Sequence, residues 1–121
     1  MSKLILVVED QEDNRRIMRD LLTSAGYEVL EAVTAEEGVN LAETHCPELI
    51  LMDIQLPDFD GYEATRRIKA NPDLGQVPII AVTSYALSGD DVKAFEAGCD
   101  AYVSKPFSPR ELLAKVREYV P

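Results

Sequence analysis

Leu4-Ile5-Leu6-Val7-Val8-Glu9-Asp10 opens the chain with five apolar residues that run without a break into two carboxylates. A continuous apolar run of this length, rather than an alternating one, is the pattern of a strand covered on both faces. Leu49-Ile50-Leu51-Met52-Asp53 repeats the pattern, again ending on a carboxylate. Val77 to Val82 repeats it a third time, with Pro78 near the entry end, where a missing N–H is tolerated. Ala101-Tyr102-Val103 is a shorter version, and Glu28 to Ala32 a weaker one.

Helical stripes fill the intervals. Ile17, Met18, Leu21, Leu22 and Ala25 recur at helical spacing, and Gly26 stops that helix. Ala35, Gly38, Val39 and Ala42 form a second stripe, ended before Pro47. Tyr62, Thr65 and Ile68 lie on a third helix. A fourth, from about Ser88 to Ala97, has a thin stripe, mainly Val92 and Phe95. Leu112, Leu113, Val116 and Val120 form the last. Strand alternates with helix five times through short connections, which predicts an α/β fold with a parallel sheet and helices packed on both faces.

Composition narrows the function. At 121 residues the chain fits one domain with one core. Its 22 acidic against 12 basic residues give a net charge of −10, a field that repels nucleic acid and anionic membrane. No apolar run approaches the ~20 residues of a membrane span, and Met1-Ser2-Lys3 lacks a signal-peptide profile. Cys46 and Cys99 have the spacing of neither a metal knuckle nor a disulfide framework, so reduced thiols in a cytoplasmic protein are expected.

The chemistry follows from where the polar residues fall. Parallel strands bring their C-terminal ends to one rim, where such sheets carry their sites. The first strand runs into Glu9-Asp10, the third into Asp53, the fourth into Thr83-Ser84, and the fifth reaches Lys105-Pro106. The second ends blandly at Val33-Thr34, which suits a place away from the centre. Three carboxylates, a hydroxyl and an ammonium therefore converge. Two like charges ~4 Å apart cost about 4 kcal/mol at an effective dielectric near 20. A hard divalent cation with oxygen ligands removes that cost. Mg²⁺ fits better than Ca²⁺, because few protein ligands are offered and no Ca²⁺-loop spacing is present; Mn²⁺ is the alternative. A metal-held carboxylate beside a lysine and a hydroxyl is a sensible phosphoryl acceptor, with Asp53 attacking in line.

Val8-Glu9-Asp10, Met52-Asp53-Ile54-Gln55-Leu56-Pro57 with Asp60-Gly61, Val82-Thr83, and Tyr102-Val103-Ser104-Lys105-Pro106-Phe107 together resemble the motif set of the response-regulator receiver family, typified by CheY. The likeness runs from about Lys3 to Tyr119, so the whole of residues 1–121 reads as one receiver domain. Leu51 to Pro57 and Gly98-Cys99-Asp100-Ala101-Tyr102 are especially similar to the DivK-type stand-alone receivers.

The resemblance implies a flavodoxin-like, doubly wound (βα)5 sandwich with sheet order 2-1-3-4-5. It implies that Asp53 takes a phosphoryl group from a phosphohistidine on a sensor histidine kinase or histidine phosphotransfer protein. Asp10, Asp53 and the backbone carbonyl of Gln55 would bind Mg²⁺ directly, with Glu9 acting mostly through a water. Lys105 would pair with the phosphoryl group, and the Lys105–Pro106 peptide would be cis. Thr83 and Tyr102 would form a switch pair that alters the surface around the fourth helix, fifth strand and fifth helix, where a downstream protein binds. Gln55 and Tyr85 would tune the phosphate's lifetime. The protein would then be a signalling domain that promotes its own phosphorylation and dephosphorylation, not an enzyme with a separate substrate. If these 121 residues are the whole protein, it acts through protein contacts or relays its phosphate. Two positions depart from the family's usual residues: Glu9, often Asp, and Phe59, often Met.

Simpler readings compete. Asp10 to Asp13 could be an N-cap with an acidic first turn, Thr83 could cap the following helix, and Tyr102 could be a half-buried core aromatic. His45 sits near a helix end, where a cation is favourable, and the two thiols read as packed or idle. A flavodoxin-like electron carrier would need a Gly/Ser/Thr-rich phosphate loop where the acidic Glu9 to Asp13 stands. A phosphatase with a strand-terminal nucleophilic Asp would carry a general-acid Asp where Gln55 stands. The remaining rival is an interaction module of the same fold that no longer uses phosphate.

Overall fold

The computed structural model describes residues 3–83, 90–105 and 107–121. Ten elements alternate along the chain: β1 (Leu4–Val8), α1 (Glu12–Ser24), β2 (Glu28–Ala32), α2 (Ala35–His45), β3 (Leu49–Asp53), α3 (Gly61–Ala70), β4 (Ile79–Thr83), α4 (Asp90–Ala97), β5 (Ala101–Ser104) and α5 (Pro109–Tyr119). The strands form one parallel sheet in the order β2-β1-β3-β4-β5. The predicted fold class and strand order are both observed.

Side chains alternate across the sheet, so each central strand feeds two cores. Ile5, Val7, Leu49, Leu51, Ile80 and Val82 face α1 and α5, against Met18, Leu22, Leu112 and Val116. Leu6, Val8, Ile50, Met52, Ile79 and Ala81 face the other way, against Ala42 of α2 and Ala64 and Ile68 of α3. This two-sided burial is why β1, β3 and β4 read as unbroken apolar runs.

Local chemistry sets the boundaries. Gly26, at φ 96°, ends α1 as expected. α2 ends on Cys46, which takes the left-handed conformation at φ 48° ahead of Pro47. Ser108 caps α5 by accepting from the Glu111 N–H at 3.1 Å, with Pro109 at the first helical position. β4 starts at Ile79, two residues later than the apolar run suggests. Pro78 lacks an N–H, so it offers the ladder only its carbonyl, which accepts from the Ile50 N–H at 3.0 Å.

Among the described residues, two members of the helical stripes are exposed. Ile17 is 48% exposed, although spacing grouped it with the buried Met18 and Leu22, and Phe95 is 52% exposed, although spacing placed it on the apolar stripe of its helix. Ile17 lies at the edge of the apolar arc of α1, whose buried residues are Met18 and Leu22. Val92, Ser88 and Tyr85 lie outside the described side chains, and so does Pro106 with its predicted cis peptide.

Candidate functional site

The sheet register builds the site. β1 and β3 pair Val8 with Met52, so Glu9 and Asp53 emerge side by side at the C-terminal rim. The Glu9 N–H still donates to the Ala32 carbonyl at 2.9 Å, which carries the ladder one residue past β1. Glu9 is completely buried and Asp53 is 2% exposed, whereas Asp10 faces solvent. Gln11, not Asp10, occupies the cap position of α1, and its side chain makes no capping bond. Asp10 is therefore not spent on the helix, and the N-cap reading of this residue is set aside.

One carboxylate oxygen from each of Glu9, Asp10 and Asp53 falls within 4.8 Å of the others. Lys105, just after β5, places Nζ 2.7 Å from Glu9 Oε1 and 3.4 Å from Asp53 Oδ1. The Lys105 N–H donates to the Thr83 carbonyl at 2.6 Å, tying the ends of β4 and β5 together. Thr83 is 2% exposed at the end of β4. Tyr102 pairs with Ala81 in register, lies on the sheet face shared by Ala81 and Thr83, and is half-buried against the α2–α3 core. Asp53 Oδ1 accepts from the Gln55 N–H at 3.2 Å, and Glu9 Oε2 from the Gln11 N–H at 3.2 Å.

Burial pushes the Asp53 carboxyl up to about 7, helped by a hydrogen bond with Glu9 and by its charge; Lys105 and the Gln55 N–H pull in the opposite direction. One ammonium does not neutralise three carboxylates. Glu9 Oε1 has no hydrogen-bond partner, its approach to Lys105 Nζ being an ion pair without hydrogen-bond geometry. A buried carboxylate oxygen left in this state, beside two further carboxylates, is the donor set that a small hard cation fits.

The loop after β3 is anchored at four points. The Gly61 N–H donates to the Ile54 carbonyl at 2.9 Å, and a Cβ on Gly61 would lie 2.2 Å from the Asp53 carbonyl oxygen, so only glycine allows α3 to start against the end of β3. Asp60 caps α3 by accepting from the Glu63 N–H at 2.8 Å. Asp58 reaches across to α2, accepting from the Ala35 and Glu36 N–H groups at 2.9 Å each. Arg67 stacks on the Phe59 ring at 4.2 Å. On the other side, Arg15 Nη1 donates to the Glu9 carbonyl at 3.1 Å. Neither Asp58 nor Arg15 was foreseen from sequence.

An open cleft of about 440 Å³ lies away from the carboxylates, between β5 and α5, lined by Tyr102, Ser104, Glu111, Ala114, Lys115 and Glu118. His45 stands exposed in the last turn of α2, apart from the site. Cys46 is exposed. Burial pushes the Cys99 thiol up to about 11, as befits a packed, inert cysteine.

Comparison with known proteins agrees with this geometry. The sequence matches the response regulator receiver domain over residues 5–117. It is 41% identical over 120 residues to the polar-differentiation response regulator DivK of Brucella ovis, covering 99% of this chain and 98% of that protein. The receiver domain of a sensor histidine kinase from Pseudomonas aeruginosa, solved with a magnesium ion coordinated in its active-site cleft, superposes with a TM-score of 0.92 at 38% identity, over 99% of this chain and 98% of that one. A CheY-like receiver domain protein from Methanospirillum hungatei superposes with a TM-score of 0.88 at 39% identity, over 98% and 93% of the two chains. A strand-end carboxylate cluster with its lysine, on a sheet of this order, thus occurs in a chain that belongs to the response regulator receiver domain family of two-component signalling proteins.

Proposed function

We propose that residues 1–121 form one receiver domain in which Asp53 accepts a phosphoryl group from a phosphohistidine on a sensor histidine kinase or histidine phosphotransfer protein. The observation that carries this reading is the Glu9–Asp10–Asp53 cluster with Lys105 Nζ at 2.7 and 3.4 Å from two of its members. Asp10, Asp53 and the Gln55 backbone carbonyl would hold Mg²⁺, or Mn²⁺ in its place, with Glu9 acting through a water. The bound cation supplies positive charge for the carboxylates and the transferring phosphoryl oxygens.

The chain's own residues do the rest. Asp53 at the end of a rigid, fully buried strand presents its carboxylate to phosphorus in line with the leaving imidazole nitrogen. An Asp53 O–P bond forms as the N–P bond breaks, and the imidazole leaves with its electron pair. Lys105 is 12% exposed and already beside Asp53, so it meets the phosphoryl oxygens without reorganising. The Thr83 hydroxyl is the second donor. Its movement toward the phosphoryl group lets Tyr102 turn inward and changes the surface of α4, β5 and α5, where a downstream protein would bind. Gln55 and Tyr85 control water access to the product. Nucleic acid is not a partner of so acidic a chain, at net charge −10. Among the described residues no helix is long and apolar enough to cross a membrane, and a cytoplasmic location suits a partner of a kinase's phosphohistidine.

The test is an intact-mass time course with acetyl phosphate, with and without Mg²⁺, on the wild type and Asp53→Asn. One Mg²⁺-dependent phosphoryl adduct, absent from the variant, is expected. Failure of the folded wild type to be labelled, repeated with a phosphohistidine donor, would turn the assignment toward a phosphate-independent interaction module.

A further inference from the structure

Glu31 is out of place in the packing scheme. It pairs with Val7 in register on the edge strand β2, and Val7 faces the α1–α5 core. Alternation puts Glu31 on that same inward side, where a carboxylate is costly unless paired. Two arginines of α1 supply the pairing: Arg15 Nε lies 3.3 Å from Glu31 Oε1, and Arg19 Nη1 lies 3.6 Å from Oε2. The two differ in what else they hold. Arg19 turns to Asp20 at 3.4 Å, on the surface. Arg15 is only 18% exposed and sends Nη1 to the backbone carbonyl of Glu9, 3.1 Å away.

We propose that Arg15 is a positioning residue for the metal-binding carboxylates, fixing the Glu9–Asp10 corner to the edge strand through Glu31. This rests on the reading of Glu9, Asp10 and Asp53 as a Mg²⁺ site. The Glu9 carbonyl belongs to the peptide that leads into Asp10, the solvent-facing carboxylate, which has no capping role to steady it. A planar fork can serve a carbonyl and a carboxylate at once; a lysine ammonium on a flexible stem cannot hold both in one geometry. Positioning and electrostatics predict opposite signs. Loss of a nearby positive charge favours Mg²⁺, whereas loss of the corner's anchor weakens it.

The experiment is a Mg²⁺ titration followed by backbone amide NMR on the wild type, Arg15→Met, Arg15→Lys and Arg19→Met. Removing a group that orients a metal ligand typically weakens binding on the order of tenfold, and that loss is expected for Arg15→Met. Arg15→Lys keeps the charge and is expected to weaken binding as well. Arg19→Met removes a charge from the same Glu31 without touching Glu9, and is expected to bind as tightly as the wild type or more so. Wild-type or tighter binding by Arg15→Met would overturn the positioning role, even with a lowered melting temperature. If Arg15→Met does not fold, Arg15→Lys decides: weaker binding supports the role and unchanged binding overturns it. A wild type that shows no Mg²⁺-dependent shifts would overturn the metal reading, and this inference with it.

Discussion

Asp53 carries two opposing demands, because the burial that shields it also disfavours its charged form. Its carboxyl sits at about 7 in the metal-free protein against 3.8 when free, with Glu9 adding to the rise and Lys105 opposing it. A group whose value rises on folding stabilises the fold fully below its unfolded value, and that stability is lost as pH climbs through the folded value. Metal-free protein should therefore lose stability between about pH 4 and 7. Asn at this position keeps the shape and carries no charge. In chelator at pH 8, Asp53→Asn should melt higher than the wild type by on the order of 5–10 °C, the gap closing toward pH 4. Melting curves across pH check this, and a variant less stable at pH 8 would refute it. At this scale the sequence was legible where a polar residue ends an apolar strand: Glu9, Asp10, Asp53, Thr83 and Lys105 all announce themselves in this way. Arg15 and Asp58 do not, because each acts on backbone groups of another segment, the Glu9 carbonyl and the Ala35 and Glu36 amides. Such partners have no signature of their own in a sequence.

The elements show where periodicity stops being informative. It separates strand from helix throughout and misplaces the start of β4 by only two residues, but it does not say how far around a helix the core extends. Ile17 and Phe95 are exposed for that reason. Nor does it show how elements are tied to one another. Thr34 caps α2 through the Glu37 N–H at 3.1 Å, as a local signal would suggest, yet Asp58 caps the same helix from the loop after β3. Burial works slightly against the charge of Asp58, but the amides of Glu36 and Ala35 outweigh it and hold the carboxyl below its usual value. Asp58→Ala should cost about 1 kcal/mol of stability, the worth of a helix cap. The depressed value makes that contribution present above the free-carboxyl value and lost as pH falls through the folded one. Denaturation of the variant at pH 7 and at pH 3 measures both: the difference from wild type should shrink in acid. A constant difference would mean that Asp58 contributes by packing alone.

Across the whole molecule, we propose that the site and the β5–α5 cleft are coupled through the ends of β4 and β5. The Lys105 N–H holds the Thr83 carbonyl at 2.6 Å, Thr83 pairs with Ser104 in register, and Ser104 and Tyr102 line the cleft. A phosphoryl group drawing on Thr83 and Lys105 would pull on the joined ends of β4 and β5; of the two, β5 has room to respond, being the edge strand with Tyr102 and Ser104 only half-buried, whereas β1, β3 and β4 are packed on both faces. The proposed change would be a population shift, since a ligand moves an equilibrium only by its different affinity for the two states. We propose α4 as the element that repacks: its described aromatic side chain, Phe95, lies half in solvent, and the helix rests on α3 and β5. Beryllofluoride with Mg²⁺, which mimics a phosphorylated carboxylate, should then shift backbone amide resonances in two regions. One is the rim itself. The other is Tyr102, Glu111, Lys115 and the described part of α4, with β2 and α2 nearly silent. Shifts confined to residues within contact of Asp53 would sever the proposed path and leave the cleft as a surface feature unconnected to phosphorylation. Shifts spread evenly over both faces of the sheet would argue instead for a general stiffening of the fold on ligand binding.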